Sequence, residues 1–394
     1  ALQKLEAAFQ RLVTGLANSL PQSAWRNYAE DFIVRRKESG FPHDLAKVPK
    51  VDRISLPDGV LYGPFSNILS NLDGKKNLAE VFREAEYERD RIFTEKETKK
   101  YFDAVCYLAD YGYLELLEDN SLSEAKIVAA LHELGVKSAD LLLIHSSLSG
   151  CGHIKGGAST LIQAIRTALG PEGSALFPTF TRPYIYLGDS LNKAYNYRPF
   201  DAADPEQVWT GSVPKTLLRQ NPPDLLRSSH ITHSWAGFGP LAKACLQEQT
   251  AYDPPAGASS PMGKALQQNG KILYIGCPIA ATTFLHFLED HCNLPFLDTA
   301  VCRCKNPDGS LKTVLLEKHL PGHRDFYRGT NSEQCKFFQR AVEAGLDIRK
   351  TRLGTGFLQL IDLQQLFKIG KELIQKDPRV LLCDDPACSF CSRF

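Results

Sequence analysis

The sequence predicts an α/β protein in which a layered domain follows a small, mostly helical module. Two observations lead to this prediction. From Leu141 onward, short apolar runs bounded by glycine or proline alternate with helical patterns, as in a layered α/β domain. Before about residue 125 the chain is instead rich in charge and tyrosine, with two helical patterns. We therefore predict an N-terminal module over 1–125 and an α/β domain over 126–394.

Composition limits the classes of partner. The 394 residues carry 46 basic and 45 acidic side chains, a net charge of +1. This balance gives no general attraction to nucleic acid or to an anionic membrane, so small molecules are the expected ligands. No apolar run approaches the roughly 18 residues that span a bilayer. The first 20 residues mix charge into a helical period, unlike a signal peptide, and we expect a cytoplasmic protein.

The N-terminal module combines helices with short strands. A turn at Asp73-Gly74 precedes a helical pattern, and a longer one ends near Tyr111, before the strand pattern "YLELL". This order is winged-helix-like and is similar to small modules that bind peptides or carrier proteins. The alternative is a helical extension that packs on the catalytic domain and helps a homodimer form.

The α/β region begins with the apolar run "LLLIHSSLSG", which predicts a buried strand. "SALFPTF" and "KILYIGCP" predict two more. "STLIQAIRTALG" predicts a helix that Ser159 caps and Gly170 ends.

A candidate anion site follows the first of these strands, in "HSSLSGCGHIKGGAST". Ser146 and Ser147 end the strand, and Gly156 and Gly157 stand just ahead of the helix. Backbone amides at a helix N-terminus bind phosphate, and glycine lets an anion approach closely. The loop matches neither a dinucleotide fingerprint nor a P-loop, so it does not identify a ligand by itself.

Two other stretches carry candidate catalytic groups. In "CPIAATTFLHFLEDHC", a threonine cap precedes His286 and Glu289, whose spacing of three puts imidazole and carboxylate on one helix face. The alternative is an ordinary polar face. The stretch "RSSHITHSWAGFGP" contains His230 and His233, and three roles are open for them: metal ligand, catalytic base or packed imidazole. Zinc is disfavoured because no Asp, Glu or Cys stands beside them at usual ligand spacing.

The 11 cysteines are scattered and odd in number, which indicates reduced core thiols rather than a disulfide framework. The C-terminal Cys383, Cys388 and Cys391 are close in sequence, and a zinc site would need further ligands, for example from Cys302 and Cys304. Free thiols on a loosely held terminus are the favoured interpretation, and we predict no metal.

Together and in this order, the stretches from His145 to the "TxxHxxE" element resemble the aminoglycoside 3-N-acetyltransferase family. The shared features are the histidine-serine-serine strand end, the double glycine, "GPEG" before a strand ending in "PTFT", the histidine-rich turn and the "SP…GK" element. They match closely over about residues 125–300.

The resemblance implies an N-acyltransferase that moves an acyl group, first of all acetyl, from acetyl-CoA or another acyl-CoA to a small-molecule amine. Antibiotic modification or natural-product biosynthesis is the implied setting. The family's coenzyme contacts map onto Ser146, Ser147, Gly156 and Gly157. Its "TxxHxxE" glutamate maps onto Glu289, and its histidine-rich turn onto His230 and His233. We expect one of these two histidines to be the base, with Glu289 orienting it or the acceptor.

The sequence also departs from the family. Thr250 and Asp253 stand in the segment where resistance enzymes often carry a histidine, and there is no acidic excess to attract a polycation. One alternative is therefore a docking protein with a decayed site. Another is a transferase that uses an acyl carrier protein; the basic residues in 75–100 would then bind the acidic surface of that carrier. Cys151 lies beside the predicted coenzyme loop, so a mechanism with a covalent acyl-enzyme stays open.

Overall fold

The computed structural model describes residues 24–37, 40, 42, 44–57, 62–118, 121–186, 198–306, 308–320, 335–388 and 390–394. The predicted helix in residues 1–20 lies outside these ranges. Contacts divide the chain into two compact units, Ala1–Ser121 and Leu122–Phe394. Whether 1–125 and 126–394 behave as separate domains stays a prediction.

The first unit packs helices around a small antiparallel sheet. Its helices are α1 (Ala24–Ala29), α2 (Pro64–Asn71), α3 (Leu78–Glu88) and α4 (Glu95–Asp110), and its strands are β1 (Ile33–Arg36), β2 (Asp73–Asn77) and β3 (Leu114–Glu118). Strand β1 is central, and β2 and β3 both pair with it antiparallel. Asn77 with Glu80 and Thr94 with Glu97 form capping boxes that begin α3 and α4.

The predicted turn at Asp73-Gly74 is instead the start of strand β2, because residues 73 to 77 gain hydrogen-bonding partners on β1. The predicted second helix and closing strand are confirmed as α4 and β3. The winged-helix likeness of this unit stays a prediction.

The second unit is built on a mixed seven-stranded sheet. The strands of the whole unit are β4 (Leu141–Ser146), β5 (Ser174–Pro178), β6 (Tyr184–Tyr186), β7 (Leu226–Arg227), β8 (Trp235–Phe238), β9 (Lys271–Ile275), β10 (Asp298–Lys305), β11 (Leu311–His319), β12 (Arg349–Leu353) and β13 (Gly356–Asp362). The large sheet has the order β12-β13-β9-β4-β5-β8-β7. Strand β4 is parallel to both its neighbours, β5 and β9, and the other pairs are antiparallel.

Helices cover both faces of this sheet. They are α5 (Glu124–Leu134), α6 (Gly157–Leu169), α7 (Ser212–Gln220), α8 (Ala242–Leu246), α9 (Pro261–Gln267), α10 (Phe284–His291), α11 (Lys336–Glu343) and α12 (Leu363–Lys376). Along β4, Leu141 and Leu143 belong to one apolar core, and Leu142 and Ile144 to another. Since neighbouring strand residues point to opposite faces, the sheet separates two cores, as a layered α/β domain requires.

A second sheet, with the order β11-β10-β6, completes the unit. In the parts of the chain that the structure describes, no helix has both the length and the apolarity to cross a bilayer.

The C-terminal cysteines are held firmly, contrary to the predicted loose terminus. Cys383, Cys388 and Cys391 are buried in a small apolar core with Phe296 and Leu382. Cys302 and Cys304 lie on β10 in a different core, so the predicted second pair of ligands is wrong.

Candidate active site

The loop after β4 is fixed by close backbone contacts. His145 and Ser146 end the strand, and the amide of Ser147 donates to the carbonyl of Ile275 at 2.8 Å. Gly150 lies against Gly276, so a methyl group at Gly150 would come within 1.9 Å of the Gly276 carbonyl oxygen. Only glycine allows this approach, which holds the loop against the end of β9.

Helix α6 begins at Gly157, two residues before the predicted cap. Gly156 is the N-cap residue with φ 81°, and Gly157 has φ 60°; both values are left-handed and favour glycine. The predicted capping role of Ser159 is therefore wrong. Ser159 lies within the first turn, and its hydroxyl accepts a hydrogen bond from Gln220 at 2.8 Å. The N-cap glycine offers no capping side chain, which leaves the first turn suited to an anion.

A cavity of about 460 Å³ opens beside the end of β4. Its walls bring together strands and loops that are far apart in sequence, and three predicted site residues line it: Ser146, His233 and His286. The other lining residues are Ile144, His145, Pro178, Phe180, Arg182, Tyr184, Tyr186, Trp209, Thr210, Pro214, Cys277, Ala281, Thr283 and Leu320. Glu289 and His230 are buried and do not line the cavity. The predicted coenzyme-binding residues Ser147, Gly156, Gly157 and Ser159 do not line it either.

His286 and Glu289 form a buried pair on α10. Nδ1 of His286 lies 2.7 Å from Oε2 of Glu289, with side chains 1% and 0% exposed. A carboxylate only accepts, so the pair places the imidazole proton on Nδ1 and leaves the lone pair on Nε2. This is the arrangement of a base oriented by a carboxylate. The predicted threonine cap of this helix is wrong in detail, because the Thr283 side chain makes no cap hydrogen bond.

His230 is held by backbone groups on both ring nitrogens. Its Nδ1 accepts from the amides of Thr232 at 3.2 Å and His233 at 2.9 Å. That nitrogen is therefore unprotonated, and Nε2 donates to the Asp253 carbonyl at 2.9 Å. Burial lowers the pKa of His230 to about 4, so the ring is neutral near pH 7. His230 thus organises the turn that presents His233.

His233 reaches the cavity, and its Nδ1 lies 2.8 Å from Oγ1 of Thr232. The same hydroxyl lies 3.0 Å from Nε2 of His319. It also lies 3.3 Å from the unprotonated Nδ1 of His230. The hydroxyl has one proton, so it can donate to only one of these three imidazoles. Burial, followed by the nearby imidazoles of His319 and His230, holds the pKa of His233 well below its usual range.

The rest of the cavity is aromatic and carries one guanidinium. Arg182 stacks over the ring of Trp209 at 3.9 Å. His145 stacks on Tyr274 with ring centroids 5.6 Å apart, and burial lowers the pKa of His145 to about 4. No carboxylate is among the described residues that line the cavity, so its fixed charge is positive.

Cys151 does not have the properties of a nucleophile. It is fully buried, and burial raises the pKa of its thiol to about 12. A nucleophilic cysteine needs the opposite shift, and the structure therefore disfavours the covalent alternative.

Several lining residues escaped the sequence analysis. His145 is part of the quoted strand end, but the sequence analysis assigned it no role in the site. Arg182, Tyr184 and Trp209 belong to separate segments that only the folded sheet brings together. No local pattern marks such residues, whereas the spacing of three identified His286 with Glu289.

The fold and sequence match known acetyltransferases. The family model for aminoglycoside 3-N-acetyltransferase matches residues 143–375. An aminoglycoside N(3)-acetyltransferase III of Serratia marcescens is 34% identical over 200 residues, covering 48% of this chain and 73% of the relative. The crystal structure of the AAC(3)-IVa apoenzyme has a TM-score of 0.56 at 24% identity, covering 70% of this chain and 96% of that one.

AAC-IIIb in a binary complex with CoASH has a TM-score of 0.55 at 21% identity, covering 68% of this chain and all of that one. At these identities the two structures establish the fold. The family match over more than half of the chain shows the class, which is that of N-acyltransferases with acetyl-CoA as co-substrate. The chain belongs to the aminoglycoside 3-N-acetyltransferase family, as the resemblance predicted.

Proposed function

We propose that this chain transfers an acetyl group from acetyl-CoA to a small-molecule amine in the 460 Å³ cavity, with His286 as the base and Glu289 positioning it. The observation that carries the proposal is the 2.7 Å hydrogen bond between these buried side chains at the cavity wall. The sequence analysis expected His230 or His233 to be the base. We prefer His286 to both, because the carboxylate fixes its tautomer, whereas both ring nitrogens of His230 are bonded to backbone groups.

The reaction balances with groups at this site. The amine nitrogen attacks the thioester carbonyl carbon, and Nε2 of His286 takes the proton that the amine loses. The carbon–sulfur bond then breaks, an amide forms, and the proton passes to the leaving thiolate. Ser146 and Thr283 also line the cavity and offer hydroxyl donors to the carbonyl oxygen as its charge develops.

The coenzyme fits the loop between β4 and α6. Left-handed Gly156 and Gly157 begin α6 without a capping side chain, and exposed Lys155 precedes them. A helix N-terminus with an adjacent ammonium group suits phosphate. Ser146 is at the end of this loop nearest the cavity, so the thioester end would enter there.

The acceptor is an amine, and the charge of the cavity bears on its class. The relatives' names identify aminoglycosides, which are polycations. Here the described walls carry Arg182 and no carboxylate, and the aromatic side chains Phe180, Tyr184, Tyr186 and Trp209 surround the space. We propose an acceptor with an aromatic or apolar body and few positive charges.

The alternative of an acyltransferase that uses an acidic acyl carrier protein as its donor has less support. Several basic side chains of residues 75–100 are already paired within their own unit: Lys76 with Glu84, Arg91 with Glu97 and Lys99 with Asp103. Such pairs make an ordinary solvated surface.

The test is thiol release from acetyl-CoA with a panel of amines, using wild type, His286→Ala and His291→Asn. His291 ends the same helix but is exposed and does not line the cavity, so it is a matched control. We expect His291→Asn to retain activity and His286→Ala to lose at least about 100-fold in kcat while still binding acetyl-CoA. Equal turnover in wild type and His286→Ala contradicts the assignment of the base.

A further inference from the structure

The chain ends in a cluster of three cysteines outside the acyl-transfer site. The sulfur atoms of Cys383, Cys388 and Cys391 all lie within 4.8 Å of one another. Their side chains are 5%, 2% and 0% exposed. We propose that these three thiolates hold one zinc ion that stabilises the folded C-terminal segment.

The spacing of the sulfurs suits a single ion. Tetrahedral zinc with Zn–S bonds of about 2.3 Å places its sulfurs about 3.8 Å apart, and the three sulfurs here lie within 4.8 Å of one another. The C-x4-C-x2-C order also occurs in two-iron clusters, but there the thiolates are shared between two metals. Three sulfurs within 4.8 Å of one another converge on one centre.

The backbone of the segment is already arranged as in a metal-binding turn. The amide of Cys388 donates to the Asp385 carbonyl at 3.0 Å, and the amide of Cys391 donates to Sγ of Cys388 at 3.3 Å. Amide hydrogen bonds stabilise a thiolate and orient it toward a metal. The hydroxyl of Ser392 closes the turn by donating to the Cys388 carbonyl at 2.6 Å.

A bound metal would stabilise the segment, because the apolar core of the segment is small. Six buried side chains form it, and three of them are the cysteines; the others are Phe296, Leu382 and Phe390. A core of this size supplies little stability without a metal or a cross-link. On the protein surface, the ammonium group of Lys336 lies 2.6 Å from Asp384, which adds one exposed ion pair.

The position of the cluster links it to the catalytic helix. Phe296 follows α10, and the amide of Leu294 donates to the Glu289 carbonyl at 2.9 Å. The zinc-bound segment therefore packs against Phe296, in the stretch of chain that follows α10 and its His286–Glu289 pair. Among the described residues no fourth His, Cys, Asp or Glu ligand atom joins the three sulfurs, so we assign the fourth position of the tetrahedron to a water molecule.

The first experiment measures metal in wild-type protein produced with zinc and purified under reducing conditions. We expect about one zinc per chain by mass spectrometry. After removal of zinc, added Co²⁺ should give thiolate-to-cobalt charge-transfer bands in the near ultraviolet and tetrahedral bands in the red. Neither readout depends on acetyl transfer, so a failure here leaves the proposed function intact.

The second experiment compares Cys388→Ser with Cys245→Ser, a buried cysteine of another core. We expect Cys388→Ser to lose at least about nine-tenths of the zinc and the cobalt spectrum, whereas Cys245→Ser keeps both. Wild-type protein without zinc and without a cobalt spectrum overturns the proposal, whether or not Cys388→Ser folds. So does stoichiometric iron in place of zinc.

Discussion

Glu289 holds Nδ1 of His286 at 2.7 Å, and the pair is buried one helical turn from the start of α10. The hydrogen bond determines that Nδ1 carries the imidazole proton, and the proposed mechanism uses the other nitrogen, Nε2, as the base. Because the pair is local to one helix, its geometry depends little on the distant parts of the cavity. Its contribution can be tested with one substitution.

Glu289→Gln removes the negative charge and keeps the size of the side chain. We expect kcat to fall by about 100-fold or more, because the amide no longer fixes the tautomer of His286 or stabilises the imidazolium. KM for acetyl-CoA should change little, since Glu289 does not line the cavity. Steady-state thiol release measures both quantities, and a raised KM with unchanged kcat would contradict the positioning role.

His230→Ala should lower stability more than it lowers the rate of the chemical step. The substitution leaves two buried amides, of Thr232 and His233, and the Asp253 carbonyl without their partner. The cost is roughly 3 kcal/mol or more, which corresponds to a fall in Tm of about 6 °C or more. Thermal unfolding by circular dichroism measures the shift. An unchanged Tm with kcat reduced as in His286→Ala would show instead that His230 is the base.

The fold contains buried neutral histidines that make its stability depend on pH. Burial lowers the pKa of His145 and of His230 to about 4, from 6.5 in an unfolded chain. The unfolded state therefore binds more protons between these values, and stability falls as the pH falls from 6.5 toward 4. Each histidine contributes about 3 kcal/mol to this loss. Urea unfolding at pH 7.5, 6 and 5 should show a flat region followed by a decline; equal stability at pH 7.5 and 5 would contradict the burial of neutral imidazoles.

The sequence predicted the interactions that are local and missed those that are not. A spacing of three places His286 beside Glu289 in any helix, so their contact followed from the sequence. The role of His230 did not follow, because its partner Asp253 lies on another loop. The start of α6 was misplaced for a different reason. Left-handed Gly156 is the N-cap, three residues before Ser159, whereas sequence rules favour serine as the cap.

Cys151→Ala should leave kcat within a few-fold of wild type, because a buried thiol with a pKa of about 12 is not ionised at neutral pH. Mass spectrometry of wild type quenched during turnover should find no acetylated cysteine. Loss of activity in Cys151→Ala together with an acetyl-cysteine peptide in wild type would establish the covalent route instead.

Arg182 should discriminate against acceptors of high positive charge. Its guanidinium lines the cavity and stacks on Trp209 at 3.9 Å, and no carboxylate of the described walls offsets its charge. Arg182→Gln should therefore raise kcat/KM for a polycationic aminoglycoside by about 10-fold at low ionic strength, and the gain should shrink as salt screens the repulsion. For a monoamine whose remaining structure is uncharged, the same substitution should change kcat/KM much less. This comparison distinguishes an effect of charge from a general distortion of the cavity wall. If wild type acetylates the polycation as well as the monoamine, and Arg182→Gln alters neither, the cavity does not select its acceptor by charge.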